Sequence, residues 1–316
     1  MALRVETGVT RQDEAARAGW LYYVAGNTQD QIAAKLGVSR QSAQRLVSLA
    51  MSEGLVKVRI DHPIARCLEL ARALSDKFDL KLAEVTPTDR SSDSTTLGVA
   101  LAASAELERW LRKPGPSVIA MGTGRTLKAA VEQLPTIDCP QHKVVSLTGN
   151  IAPDGSAAFY NVVFTMADKV HSRSFPMPLP VIASSPEERK LLQQQPMIRA
   201  TLDLARQADV AFVGIGELGR DAPLAKDGFL RPEELMALEQ SGAVGEIVGW
   251  VFNSDGALLS GLSNERVTSG PLPDPSRAMV IAAAMGGKKL PGIRAAMKGG
   301  LINGLITDEA TAEALL

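Results

Sequence analysis

The chain has 316 residues, 45% of them apolar and 22% charged, with a formal net charge of −1. This is the balance of a globular protein with ample core, and the length suits a small head joined to a larger body. It excludes a disordered or strongly polyionic chain, and no apolar run approaches the ~18 residues of a membrane span.

Residues 12–60 read as one uninterrupted module. A helix over 12–25 is followed by a second opened by Thr28, a turn at Gly37, a third helix opened by Ser39, and a short β-branched strand over 56–60. Thr28 and Gln31 stand three apart, the spacing of a capping box. Ile32, Leu36, Val38, Ala43 and Leu46 supply the apolar faces that pack two short helices around the turn. Outward remain Ser39, Arg40, Gln41, Ser42, Gln44 and Arg45 at the start of the third helix, with Thr28 and Gln29 opening the one before it. Arg reaches guanine O6 and N7, Gln reaches adenine N6 and N7, and in a helix-turn-helix this part of the second motif helix enters the major groove. Residues 1–60 carry eight Lys and Arg against five acids, a net of +3 in a chain that is −1 overall. The bland alternative is a helical hairpin with a solvated polar face; capping, turn and exposed residues together favour double-stranded DNA. Trp20, Tyr22 and Tyr23 precede the reading helix, and core or dimer packing suits them better than base stacking.

Asp61-His62-Pro63 closes this head, so the expected domains are 1–60 and 61–316. The body alternates short apolar runs with helices. A helix over 64–78 precedes the strand LKLAEV. The helix TTLGVALAASAELERWLR ends at Pro114-Gly115-Pro116. SVIAM is a strand, then GTGRT opens a helix through Leu134. KVVSLT leads into Gly149-Asn150, a helix near 160–170 and a strand near Pro180. The helix from Pro186 is interrupted at Pro196, and DVAFVGIG is a buried strand. EIVGWVF, a turn at 253–256 and ALLSGL suggest a hairpin. AMVIAAAM is a buried strand; a helix after Lys289, the strand LINGLIT and a helix from Asp308 finish the chain. This alternation predicts an α/β, doubly wound, mostly parallel sheet. Cys67 and Cys139 have no CxxC partner, and His62, His142 and His171 make no metal spacing. With no signal peptide at the polar N-terminus, the thiols fit a reducing cytoplasm. No motif asks for a metal or cofactor.

Glycines fall at the expected C-terminal strand ends: Gly122 and Gly124, Gly149, Gly214 and Gly216, Gly286 and Gly287. In open α/β sheets small ligands bind at that edge, where backbone N–H groups and a helix N-terminus meet an anion. Gly122-Thr123-Gly124-Arg125-Thr126 joins glycines, two hydroxyls and a guanidinium at one helix start. It lacks the third glycine of a dinucleotide fingerprint, having Leu127 there, and the Gly-Lys-Ser/Thr ending of a P-loop. A single Gly-rich turn is more often just a turn; several at one sheet edge favour a pocket.

The chain resembles the SorC family of bacterial sugar-responsive transcriptional regulators over essentially its full length. The resemblance is carried by ARAGWLYYVAGNTQDQIAAKLGVSRQSAQRLV, VIAMGTGRTL, DVAFVGIGEL, VGEIVGWVF and, most specifically, GLINGLITDEATAEALL. It implies an N-terminal helix-turn-helix, an effector domain similar to sugar-phosphate isomerases and glucosamine-6-phosphate deaminases, a sugar, polyol or sugar-phosphate effector, and a homodimer or homotetramer. Carried over by motif, Gly122, Thr123, Gly124, Arg125 and Thr126 hold a phosphate or hydroxyl cluster, with Gly149 and Asn150 at the neighbouring strand end. Glu246 replaces the family's usual Asp, and Glu217 joins it as an acceptor for hydroxyls. The late Gly-Gly is followed at once by Lys288 and Lys289 in a segment one residue short, which leaves open which lysine faces the pocket. The rival reading is an isomerase or deaminase with Glu217, Asp221 or Glu246 as acid and base; no histidine accompanies them in sequence. A third, a lysine imine with an aldehyde effector, needs a buried lysine. The expected mechanism is linkage without turnover, with helices 12–25 and 64–78 as the mechanical connection.

Overall fold

Thr10 opens the first helix with a reciprocal cap: its hydroxyl accepts from Asp13 N–H at 3.1 Å, and its own N–H donates to the Asp13 carboxylate at 2.9 Å. The structure, a computed structural model, describes residues 10–56, 64–89, 91, 94–152, 154–157, 161–220 and 222–316. It divides into the units Met1–His62 and Pro63–Leu316. In the first, α1 (Arg11–Tyr23), α2 (Gln29–Leu36) and α3 (Arg40–Ser52) enclose a small core of Ala18, Ile32, Ala43, Leu46 and Val47. The Thr28–Gln31 box forms, with Thr28 N–H donating to Gln31 Oε1 at 2.8 Å. Gly37 closes α2 in the left-handed region at φ 67°, and the Ser39 side chain caps α3. The expected strand over 56–60 lies, beyond Val56, outside the described residues, as do Asp61, His62 and Pro63.

Of the two packings expected for the aromatic residues of α1, core or dimer, the structure excludes the core. Trp20, Tyr22 and Tyr23 are 55%, 39% and 40% exposed, while Ala15, Ala18, Gly19 and Leu21 make the buried face. The reason is close helix approach: a Cβ at Gly19 would meet the Ala50 side chain of α3 at 2.9 Å, so only small residues fit the seam.

In the second unit, α4 (Ala65–Phe78) leads to β1 (Leu82–Thr86), and α5 (Ser94–Leu111) to β2 (Val118–Met121). Next come α6 (Arg125–Gln133), β3 (Ile137–Ser146), α7 (Val162–Lys169) and β4 (Val170–Phe175). Helices α8 (Pro186–Gln194) and α9 (Pro196–Arg206), split at Pro196 as expected, precede β5 (Val210–Val213). The chain continues through α10 (Pro223–Lys226), α11 (Pro232–Gln240), β6 (Ala243–Ile247) and β7 (Trp250–Asn253). It ends with β8 (Met279–Ala283), α12 (Leu290–Lys298), β9 (Gly304–Asp308) and α13 (Glu309–Leu315). Seven strands form one parallel sheet in the order β1-β9-β8-β5-β2-β3-β4. Side chains alternate across it with period two. Ala120, Val145, Ala211 and Val280 face the helices α4, α9, α12 and α13, whereas Ile119, Val144, Phe212 and Ile281 face α5, α6 and α7. Both faces are buried, which is why the central strands read as continuous apolar runs. No helix of the described residues is long and apolar enough to cross a membrane.

Four sequence expectations shift. The strand near Pro180 is only two isolated bridges, Ile151 with Pro180 and Ile182 with Val267. The edge strand is β4 instead, whose VHSRSF mixes polar and apolar residues because its free edge is not enclosed. Strand β3 starts six residues early, at Ile137, and takes Pro140 through a register shift. The hairpin lies within EIVGWVF itself: Val248 (φ 47°) and Gly249 (φ 90°) are both left-handed, as a two-residue primed turn requires. ALLSGL adds only the bridge of Leu258 to Phe252 before a 3-10 turn, Leu262–Glu265.

GLINGLITDEATAEALL has a structural cause. Asn303 accepts from Val280 N–H at 2.7 Å and donates to the carbonyls of Pro275 at 2.8 Å and Ala278 at 2.9 Å, tying the start of β8 to β9. Asp308 then caps α13 through Thr311 N–H at 3.2 Å and accepts from Thr88 at 2.7 Å. Asn303→Ala strands those buried groups, and the expected loss is about 3 kcal/mol in urea denaturation. An unchanged midpoint would mean that water replaces the amide.

Candidate functional site

Two sites emerge, one in each unit. In the first, α3 buries Ala43, Leu46, Val47 and Ala50 at helical spacing, which turns Arg40, Gln41, Gln44 and Arg45 outward. Ser39 and Ser42 are already committed to each other: Ser42 N–H donates to Ser39 Oγ at 3.1 Å, and the hydroxyls lie 2.9 Å apart. Thr28 is likewise engaged in its cap, while Gln29 beside it is half-buried. Arg40 Nε sits 3.5 Å from the Asp30 carboxylate, an exposed pair that a phosphate or base edge displaces at little cost. The exposed side chains here that take no part in a helix cap are therefore Arg40, Gln41, Gln44 and Arg45.

The second site follows from sheet topology. From β2 the chain winds outward through β3 and β4; from β5 it winds the other way through β8 and β9. The order thus reverses between β2 and β5, and the strand ends flanking that crevice open into a cavity of about 830 Å³. Thr123, Gly124, Arg125 and Thr126 line it from the end of β2, and Gly214, Gly216 and Glu217 from the end of β5. Gly124 is the N-cap of α6 and, having no side chain, gives the first N–H groups of that helix no side-chain cap of its own. Gly122 lies beneath, its N–H donating to Phe212 O at 2.8 Å. A Cβ there would touch Val248 of the hairpin at 3.2 Å, so the loop after β2 and the hairpin tip are in contact.

Glu246 is held from three sides. Its backbone exchanges hydrogen bonds with Gly216 at 2.9 and 3.1 Å, and Gly249 N–H donates to its Oε2 at 2.7 Å. Its carboxylate fills the space over Gly216, where any Cβ would overlap it, so the extra methylene of Glu is accommodated by that glycine. Burial raises the Glu246 carboxyl above its ordinary range, opposed by Gly249 N–H and Lys289. Burial lowers the Lys289 ammonium, with Glu246 acting upward, Arg125 downward and Glu217 upward. Lys289 lines the cavity and Lys288 is exposed, which answers the question that the two adjacent lysines left open. Lys289 is half-buried, so the fully buried lysine that imine chemistry would require is not found at this position.

Not every expected residue takes part. Gly149 lines the cavity, but Asn150 does not, and its buried Oδ1 has no partner among the described residues. Gly286 and Gly287 form the turn before Lys289 and do not line the cavity; Gly286 N–H donates to Thr311 at 2.8 Å. Asp221 lies outside the described residues. His142 is buried elsewhere, accepting from Ser117 N–H at 3.1 Å and lying 3.1 Å from Leu111 O, while His171 is on β4. Sequence reasoning missed Thr96 at the start of α5, Asp154 and Ser156, and the wall formed by Lys226, Asp227 and Phe229. The Asp227-Gly228 turn was the one available signal for that wall.

Since the folded state holds the Glu246 proton more tightly than the unfolded chain, its contribution to stability falls as pH rises through the carboxylate range and levels off above the folded value. Glu246→Gln removes this titration. Between pH about 4 and 7 the stability difference should move in favour of the variant, read by urea denaturation. A difference independent of pH would show that the carboxylate is not desolvated.

Comparison with known proteins gives a consistent family. The family described as "Putative sugar-binding domain" matches residues 62–316. The chain is 33% identical over 302 residues to the erythritol catabolism regulatory protein EryD of Brucella abortus (strain 2308), covering 96% of each. It is 32% identical over 314 residues to the transcriptional regulator LsrR of Enterobacter sp. (strain 638), covering 98% of this chain and 94% of that one. Among solved structures, the full-length sorbitol operon regulator SorC from Klebsiella pneumoniae aligns with a TM-score of 0.73 and 27% identity, over 95% of this chain and 97% of its own.

Proposed function

The chain belongs to the SorC/DeoR-type family of sugar-binding transcriptional regulators, and from that premise we propose that residues 1–60 read operator DNA while residues 61–316 bind the effector and hold a homodimer or homotetramer together. It is a regulator of a catabolic operon that responds to a sugar or polyol, working in the cytoplasm, where operator and metabolite meet.

The observation that carries this reading is the cavity where the strand order reverses, with Arg125 and the uncapped start of α6 on one side and Glu246 and Lys289 on another. A phosphorylated polyol or sugar satisfies both chemistries. Its phosphate takes the N–H groups of α6, Arg125 and Lys289, and its hydroxyls donate to Glu246, Glu217 and Asp227. Isomerase or deaminase chemistry on the same cavity would need a proton shuttle between those carboxylates; the relatives that match over nearly the whole chain are regulators.

Regulation follows by linkage. An effector that binds the two arrangements of the DNA-reading heads unequally shifts their balance, and by reciprocity DNA changes effector affinity by the same factor. The contact of Val248 with the loop after β2 gives the hairpin β6–β7 a direct mechanical stake in cavity occupancy.

Effectors are sought by thermal shift with sugars, polyols and their phosphates, each hit being retested for its effect on promoter binding. Arg40→Ala with Arg45→Ala should weaken operator binding by roughly 100-fold or more and leave the thermal shift intact. Thr123→Ala with Arg125→Ala should do the reverse. Equal loss of both activities in either double variant would defeat the assignment of separate sites, and a hit converted to product would favour the enzyme.

A further inference from the structure

A second cavity, of about 660 Å³, lies between α8 and α9 and shares no lining residue with the first. Pro196 breaks what would be one helix into two, and the polar faces of both pieces line the cleft. Arg189, Lys190 and Gln193 come from α8, Arg199 and Arg206 from α9, and buried Leu202 forms the floor. Against these four cations stand Asp203, already paired with Arg206 at 2.5 Å, and Glu265. Lys190 and Arg199 are exposed and have no ion-pair partner among the described residues.

Arg189 is built into place. Its guanidinium carbon lies 5.3 Å from the centre of the Trp250 ring, and Nη1 donates to the Glu265 carbonyl at 3.3 Å. Trp250 is itself anchored, its Nε1–H donating to Gly270 O at 2.9 Å. The Nε–H of Arg189 is buried and has no acceptor among the described residues, a costly state for a guanidinium donor. Burial also lowers the Arg189 pKa, so its charge is held where an anion repays the lost hydration. Planar guanidinium forks with an adjacent ammonium and amide make a donor set that matches phosphoryl oxygens.

We propose that the α8–α9 cleft is a second anion-binding site, taking a small phosphorylated molecule at a place separate from the cavity between β2 and β5. The site also touches the regulatory machinery: Trp250, which stacks under Arg189, begins β7, and the same hairpin carries Glu246 and Val248 into the first cavity. An anion in the cleft therefore bears on effector affinity through one short hairpin.

The probe is pyrophosphate, titrated by calorimetry into the full-length protein at fixed ionic strength. In a Thr123→Ala, Arg125→Ala background, which disables the first cavity, one pyrophosphate site should remain. Adding Lys190→Ala and Arg199→Ala should weaken that site by about tenfold or more, with the circular dichroism and melting temperature unchanged because both residues are exposed. Arg189→Gln should weaken it likewise and abolish the change in Trp250 fluorescence on binding. Loss of all pyrophosphate binding in the Thr123→Ala, Arg125→Ala protein would overturn the cleft while leaving the first cavity standing. The cleft is equally overturned if Lys190→Glu with Arg199→Glu changes the oligomeric mass but not pyrophosphate affinity, since it then receives a second copy of the chain.

Discussion

The pairing of β2 with β5 is the constraint on which the rest of the second unit depends. Ile119 to Met121 align in parallel with Val210 to Phe212 at the centre of the sheet, and their side chains are buried on both faces. Two strands that leave this pair in opposite directions cannot both have their following loops folded over the same helix layer. The loops diverge, and the crevice between them is the cavity. Glycines recur in its lining, at 124, 149, 214 and 216, because the chain must turn tightly at those strand ends.

Charge inside that crevice is tolerated because it is shared. Glu246 and Lys289 are each pushed toward their neutral forms by burial, and each partly offsets the other. An occupant carrying a phosphate and hydroxyls supplies what the protein alone lacks, acceptors for the cations and donors for the carboxylates. In the proposed function occupancy acts mechanically, since Glu246 belongs to the hairpin whose tip rests on the loop after β2.

Much of this was legible in the sequence. The head could be read because its signals are local: a Thr-x-x-Gln box, a left-handed glycine and a Ser cap each fix a few residues without help from elsewhere. The buried central strands were legible as unbroken apolar runs. What misled was equally physical. Strand β4 is held by its pairing with β3 and its packing against α7, so its polar residues hid it. The hairpin was misplaced because Asn253 to Gly256 is the louder turn signal, although Val248 and Gly249 make the actual reversal.

By itself the sequence determined the two-part organisation it predicts, the α/β alternation, the glycine-rich loop of residues 122–126 and the family resemblance, because these rest on periodicity, turn chemistry and motif. Only tertiary structure decided that Lys289 rather than Lys288 faces the cavity, that Asn150 does not, and that Lys226, Asp227 and Phe229 form a wall. Adjacent residues differ in direction by about 120° in a 3-10 turn such as Gly287–Lys289, and distant segments meet only when the sheet closes. Which of two neighbouring lysines turns inward is set by the backbone around them, and sequence spacing carries no record of that.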